Sequence, residues 1–296
     1  MTGVRDGEWA VKAEGVSFVY PEGTTALDGV DFRVRKGEFV AVLASNGSGK
    51  STLIKVLTGL LQAKKGTVRI AGRDIREYFS KALYREIGVV FQDPDDQLFC
   101  ASVAEDVAFG PRNLGFPEAE VRNRVSTALE AVGAIGLRNR AVHHLSFGEK
   151  KRVAVAGVLA MEPSTLILDE ATAGLDPAGE ALMMRLLNRL NREWGITVIL
   201  ATHSVDLLPL FADRICVLQR GKVLKEGTAE SIFCDHEMIE RAGLRLPYIS
   251  GLLHDLKRYD GVPIEGLPLT VGEARKRLLE LIPEELIVGK RLWRDK

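Results

Sequence analysis

At 296 residues the chain can bury a substantial core as one or two domains, and its 40 Lys plus Arg balance 40 Asp plus Glu, which removes any bulk pull toward nucleic acid. Three widely spaced cysteines (Cys100, Cys216, Cys234) fit neither a zinc pattern nor a disulfide framework and read as a reducing compartment. No stretch has the apolar length of a membrane helix, and Met1 to Gly15 lacks the apolar core of a signal peptide, so the expectation is a soluble cytoplasmic chain.

Trp9 to Tyr20 alternates loosely and reads as a strand ending at the turn Pro21-Glu22-Gly23. Val30 to Val34 alternates well, so a largely antiparallel β segment precedes an α/β core. Glu38 to Leu43 is a short apolar strand, and Leu53 to Leu57 is apolar at helical spacing. Between them lies Ala44-Ser45-Asn46-Gly47-Ser48-Gly49-Lys50-Ser51-Thr52. Strand, glycine-rich turn and helix is the setting that a phosphate-binding loop requires. Backbone N–H groups curl around phosphate oxygens there, and the helix N-terminus adds partial positive charge. Lys50 would reach the β- and γ-phosphates, and the Ser51 hydroxyl would help hold Mg²⁺. Ala44 stands where G-x-x-x-x-G-K-[ST] has its first glycine, which matters only if that position needs a positive φ.

Gly66 to Gly72 reads as a strand and turn, and Ile87 to Phe91 as another apolar strand before the polar loop Gln92 to Gln97. From Val103 to about Leu137 helical spacing dominates, as an inserted helical subdomain over about 93–160. Ser146, with Glu149 three residues on, has capping-box spacing at the head of the run Val153 to Leu159. Thr165 to Glu170 is an apolar strand ending in two carboxylates, the place for a Mg²⁺-bound Asp169 in a phosphate-loop chain. A tight loop, Ala173 to Pro177, precedes a helix over Glu180 to Asn191. Ile196 to His203 is a buried strand that delivers His203 at its end, and strands at Ile215–Leu218 and Lys222–Leu224 join through Arg220-Gly221. A nucleotide domain over 1–235 and a helical extension over 236–296 follow from this order. The extension has helices at Leu252 to Tyr259 and Ala274 to Leu281, the second behind Thr270 and Glu273 at capping-box spacing. It offers no chemistry, so packing or dimerisation is its expected work.

Taken in order, Tyr20, the loop Ala44 to Thr52, Gln92, Leu145-Ser146-Phe147-Gly148-Glu149, Leu166 to Glu170, Leu175-Asp176 and His203 resemble the ATP-binding subunit of an ABC transporter over about residues 9–230. Many NTPases share a phosphate loop, whereas the loop with this signature and histidine is specific. The resemblance implies an α/β P-loop NTPase fold of ABC type, with an amino-terminal antiparallel β segment, an inserted helical subdomain and a small helical C-terminal extension. It implies an ATPase coupled to transmembrane transport, with ATP as substrate and Mg²⁺ as cofactor. Lys50 and the rest of the loop would hold the phosphates, and Tyr20 would stack on adenine. Ser51, Gln92 and Asp169 would hold or sense Mg²⁺, and Glu170 would polarise the attacking water as general base. His203 would bridge the γ-phosphate and the Asp176 loop of a facing subunit, while Ser146 and Gly148 complete that site in trans. Two subunits would then meet head to tail on two ATP molecules. Phe147 and Glu149 replace the commoner Gly and Gln, and Ala171 a frequent Pro. None removes a side chain that contacts phosphate or metal, so ATPase activity is expected to survive.

Phe91 to Phe99, Phe109-Gly110-Pro111, Ala156 to Pro163 and Leu269 to Ala274 narrow the resemblance to the energy-coupling-factor ATPases, in phrasing to their cobalt-importer branch. That implies a peripheral subunit on the cytoplasmic face of the membrane, paired with a second ATPase subunit, identical or paralogous. Its other partners would be an integral membrane coupling protein and a substrate-binding membrane component, carrying cobalt, nickel or a vitamin. Asp95, Asp96 and Gln97 would lie near the coupling helices of that partner. Adjacent His143 and His144 point to different sides without a third ligand and read as loop residues. A soluble ABC ATPase acting on DNA or ribosomes fits less well, since only a short insert without sustained heptads separates Lys50 from Ser146.

Overall fold

The computed structural model describes residues 8–78 and 80–283. In chain order the strands are β1 (Trp9–Val19), β2 (Thr25–Arg35), β3 (Phe39–Leu43), β4 (Lys65–Ile70), β5 (Arg73–Asp74), β6 (Ile87–Val90), β7 (Thr165–Asp169), β8 (Thr197–Thr202), β9 (Arg214–Gln219) and β10 (Lys222–Gly227). The helices of the first half are α1 (Lys50–Leu57), α2 (Ser80–Glu86), α3 (Val103–Asn113), α4 (Glu118–Ala131) and α5 (Phe147–Leu159). Those of the second half are α6 (Pro177–Arg192), α7 (Leu208–Phe211), α8 (Ala229–Phe233), α9 (His236–Arg241), α10 (Tyr248–Tyr259) and α11 (Val271–Leu281).

The strands form two sheets, a four-stranded antiparallel one in the order β2-β1-β4-β5 and a six-stranded one in the order β10-β9-β3-β8-β7-β6. In the larger sheet all neighbours run parallel except the β9–β10 hairpin. β3, β7 and β8 are buried at every residue, as strands of a parallel sheet covered on both faces must be. Successive side chains point to opposite faces and so feed two cores. Phe39, Ala41 and Leu43, with Leu166, Leu168, Val198 and Leu200, join the helices on one side. Val40, Val42, Ile167, Ile199 and Ala201 face α1 and the antiparallel sheet on the other.

The helical stretch after Val103 is not one helix. It is two helices, α3 and α4, divided at Leu114–Pro117, where Gly115 takes φ 85° and Pro117 precedes the new helix. A short 3₁₀ turn, Ile135–Leu137, follows. Arg124 then spans the seam, with its guanidinium over the Phe116 ring and ion pairs to Glu120 and Glu162. Further on, Met238, Ile239 and Ala242 join the larger core, while a small separate cluster gathers Leu253, Ile264 and Ala274. Thr270 caps α11 by accepting from the Glu273 N–H, but Glu273 returns to the Leu269 N–H rather than to the cap residue itself. Among the described residues no helix is long and apolar enough to cross a membrane.

β6 and α5 meet at Gly88, where an added Cβ would lie 2.2 Å from Val158 Cγ1 and 3.2 Å from Pro163 Cγ. Gly88→Ala must part strand and helix, at about 1–3 kcal/mol. Thermal melts are expected to show a midpoint lowered by several degrees, and urea melts a lower midpoint concentration; unchanged midpoints would contradict this close approach.

Candidate functional site

Three adjacent parallel strands end side by side. Leu43 of β3 pairs with Thr202 of β8, and Ala201 of β8 with Asp169 of β7. The glycine-rich loop, His203 and the two carboxylates therefore emerge together at the carboxyl edge of one sheet, where ligands of open α/β sheets bind.

Ala44 begins the loop, buried, with its N–H donating to the Thr202 carbonyl at 3.2 Å. Its φ is not positive, so the missing glycine imposes no strain. Gly49 does need to be glycine: φ is 100°, and a Cβ would sit 2.5 Å from the Ala26 carbonyl oxygen. Behind the loop the β9–β10 turn is a brace, built on Arg220 and Gly221 at φ 48° and 73°. The Gly221 N–H donates to the Ser48 carbonyl, and the Gly221 carbonyl accepts from the Asp28 N–H of β2, both at 2.9 Å. Gly49 gives α1 no side-chain cap, which leaves first-turn N–H groups for an anion.

Lys50, only 7 % exposed, donates to the Ala44 carbonyl at 2.8 Å and the Ser45 carbonyl at 3.4 Å, and its ammonium lies 3.2 Å from Glu170 Oε1. His203 Nδ1 is 2.9 Å from that same oxygen, its ring about half exposed. Glu170 itself is 4 % exposed and takes φ 51°, a left-handed conformation that costs a residue with a Cβ about 1–3 kcal/mol. Its Oε2 and the neighbouring Asp169 Oδ1 are buried without a hydrogen-bond partner. Burial pushes the Asp169 carboxyl above its ordinary range, against a hydrogen bond from Ser51 and the Lys50 charge.

These groups border two clefts. One, of about 310 Å³, is lined by Tyr20, Ser45, Asn46, Gly47, Lys50 and Glu170 among others. The Tyr20 hydroxyl is held there by Thr52 Oγ1 at 3.0 Å. The other, of about 570 Å³, is lined by Asp93, Phe147, Asp169 and Gly174, and the two share Ser51 and Gln92. An orphaned Asp169 oxygen beside a serine hydroxyl, with a glutamine amide on the common rim, is an oxygen-donor set that suits Mg²⁺ completed by phosphate oxygens. Among the described residues no group of three or more His, Cys, Asp and Glu gathers to hold a metal by protein carboxylates, thiols and imidazoles alone. His143 and His144 are exposed and sit edge to face at 4.2 Å.

Ser146, Gly148 and Asp176 border neither cleft. Ser146 and Asp176 are exposed on helix caps. Ser146 Oγ accepts from the Glu149 N–H at 3.3 Å while Glu149 Oε2 accepts from the Ser146 N–H at 2.8 Å. The acid at 149 thus completes a capping box, and the Ser146 N–H holds its carboxyl below the ordinary range. Asp176 Oδ1 caps α6 through the Gly179 N–H at 2.7 Å. One buried group escaped the sequence reading. Lys151, inside the charged run Lys150-Lys151-Arg152, is 1 % exposed and donates to the Glu170 carbonyl at 2.9 Å. A run of three cations before an apolar helix reads as solvated, and nothing in the sequence separates the middle one.

The sequence profile of the ABC transporter family matches residues 27–173. The energy-coupling factor transporter ATP-binding protein EcfA of Methanocaldococcus jannaschii is 48 % identical over 280 residues, covering 94 % of this chain and 99 % of the relative. Among solved structures, cbiO1 from Clostridium perfringens, described as part of the ABC transporter complex cbiONQ, aligns with a TM-score of 0.72 and 45 % identity over 83 % of this chain and 99 % of its own. The ATP-binding cassette MJ0796, in a dimeric post-hydrolysis state bound to ADP and Pi, aligns with a TM-score of 0.68 and 29 % identity over 74 % and 98 %.

Because Ala44 needs no left-handed backbone, Ala44→Gly is expected to leave ATP affinity within about threefold, below about 0.7 kcal/mol. Titration of a fluorescent ATP analogue checks this. A large gain in affinity would mean that the loop is strained by its alanine.

Proposed function

The chain belongs to the ABC transporter family as an ATP-hydrolysing subunit of energy-coupling-factor type, and we propose that it closes as a head-to-tail dimer on two ATP molecules to drive uptake of cobalt or nickel ion through a separate membrane coupling protein. The carrying observation is the Glu170 carboxylate, with one oxygen shared by Lys50 and His203 and the other buried and free. Such an oxygen suits a general base that accepts a proton from water attacking the γ-phosphorus.

In this reading the loop from Ala44 to Thr52 cradles the phosphates, and the Tyr20 ring stacks on adenine. Ser51, Gln92 and Asp169 hold Mg²⁺, which neutralises charge on the β- and γ-phosphates when bound. Arrival of the γ-phosphate offers the Lys50 ammonium a stronger partner than Glu170. The lysine changes partners, and Glu170 keeps its charge for the water. His203 then turns its exposed ring to the γ-phosphate and to the facing subunit's copy of the Asp176 loop. The α5 N-terminus, capped by Ser146 with Gly148 behind it, meets the facing subunit's ATP. Exposure of Ser146 and Asp176 away from the clefts of their own chain supports a site completed by a second subunit, identical or paralogous.

An apolar groove of about 440 Å³ supports the membrane partner. It is lined by Leu98, Phe99, Phe109, Leu114, Val158 and Met161. Phe99 is 65 % exposed and meets Phe109 edge to face at 4.7 Å. Asp95 ties the neighbouring loop to α5 through Lys150 at 2.6 Å, so a helix seated in this groove presses on the element that bears Ser146. The chain thus sits on the cytoplasmic face of the membrane, with a substrate-binding membrane component completing the complex. The sequence boundary near 235 does not bound the packing, since Met238, Ile239 and Ala242 share the core of the nucleotide domain, and exposed Tyr248, Leu252, Tyr259 and Val271 further into the extension support dimerisation there. The same motor serving a vitamin importer is the second reading, since cargo is selected by the membrane partners.

Lys50→Ala is expected to abolish ATP binding or hydrolysis; wild-type turnover would mean that the phosphate loop is misassigned. Glu170→Gln should bind ATP, slow hydrolysis by about 10²-fold or more and trap an ATP-bound dimer on size exclusion. A variant that stays monomeric with ATP contradicts head-to-tail closure. A tagged chain purified from membranes should carry an integral coupling protein, and the reconstituted complex should take up cobalt or nickel. Uptake of a vitamin instead keeps the motor and replaces the cargo.

A further inference from the structure

We propose that Lys151 is a positioning residue for Glu170, holding its carbonyl and thereby the backbone twist that aims the carboxylate. The proposal rests on the reading of Glu170 as general base. A lysine with 1 % exposure is expensive to bury, and burial pushes its pKa down, against the nearby charges of Glu170, Asp93 and Asp169. Its ammonium donates to one backbone oxygen, that of Glu170, at 2.9 Å, beside the Ala173 N–H on the same oxygen at 3.0 Å.

That carbonyl is the group whose orientation records ψ at residue 170. Glu170 sits at φ 51°, where its backbone gains nothing by itself and must be held from outside. From that twist the side chain leaves the strand direction to reach Lys50 and His203. Without Lys151 the carbonyl is held by the Ala173 N–H alone, so the backbone is freer to relax toward the β region, and the carboxylate turns with it. Lys151 also rides on α5, whose capped N-terminus begins at Ser146, and its ammonium stands 5.4 Å from the ring of Phe147. That ring in turn presses on Gly174, where a Cβ would meet Phe147 Cε1 at 2.9 Å. A displacement of α5 by a ligand at its N-terminus therefore reaches Glu170 through Lys151. In the proposed dimer this joins the base of one ATP site to the helix that completes the other.

Lys151→Met keeps the stem and removes the charged donor, while Lys151→Arg keeps a charged donor. In the full-length chain, K151M is expected to lower kcat by about 10- to 100-fold, the cost of a misplaced reacting group, with ATP affinity and KM within about twofold. K151R should recover most of that loss. Combined with Glu170→Gln, K151M should add no further slowing, because it acts through a base already removed. Normal kcat in K151M overturns the proposal, and so does a double variant slower than Glu170→Gln by the full K151M factor. If K151M does not fold, Lys151→Gln, which keeps an uncharged N–H donor, is read by the same double-variant comparison. Glu170→Gln alone tests the premise separately: an unslowed rate there removes the base, and this proposal with it.

Discussion

A cation with almost no access to water has to be satisfied by protein, and in this chain that requirement is met at Lys50. Its ammonium takes the Ala44 and Ser45 carbonyls and the Glu170 carboxylate, and it shares the last with His203. An isolated buried charge costs several kcal/mol, and a paired one is strongly destabilising only when its partner is removed. The arrangement is therefore a set of charges that can change partners but cannot lose them. A phosphate entering the loop brings the negative charge that such an exchange needs. The same geometry that keeps the empty site stable keeps one oxygen of the glutamate occupied until a phosphate replaces it as the lysine's partner.

That cluster exists because of strand order. β3, β8 and β7 are neighbours, yet they come from residues near 40, 200 and 167, so loop, histidine and carboxylates meet only once the parallel sheet has formed. Every side chain of these strands is buried, and alternate residues supply two different cores. A loss of register by one residue would exchange the faces and dismantle both. The antiparallel sheet contributes from the other side. Ala26 closes over Gly49, and the Asp28 N–H reaches the turn that braces Ser48. At Gly49 and Gly221, where the two sheets meet the phosphate loop, a Cβ would lie 2.5 Å from the Ala26 carbonyl oxygen.

Much of this was legible in the sequence, because the strongest constraints are local. The loop from Ala44 to Thr52, the strand ending in Asp169 and Glu170 and the cap at Ser146 are each written in fewer than about ten consecutive residues. The two-helix break was not read, because apolar spacing continues through Val107, Val121 and Val125, although Gly115 and Pro117 carried the signal. Helices such as α2, α7, α8 and α9 are too short to establish a period. Lys151 was illegible for a different reason. Its burial is decided by a strand end from 19 residues further along, and no local pattern distinguishes it from Lys150, which stays near the surface and pairs with Asp95.

The carboxyl-terminal segment carries no motif with chemistry of its own, yet it is placed against the phosphate loop and the loop after His203. A Cβ on Gly243 would come within 3.8 Å of Ser45 in the phosphate loop. Arg245 grips both oxygens of Asp206, three residues after His203, and stacks its guanidinium 3.8 Å from the Tyr248 ring centroid. Asp206 also accepts from the Tyr248 N–H at 2.8 Å, at the very start of α10. Partly exposed ion pairs are individually weak, but this one is bidentate, carries a backbone bond and is covered by an aromatic ring. A rigid-body shift of α10 cannot leave the histidine loop and Arg245 where they are without breaking the Tyr248 N–H bond to Asp206 and the stacking of Arg245 on the Tyr248 ring. An extension with no chemistry of its own is thus mechanically continuous with the residues that have it.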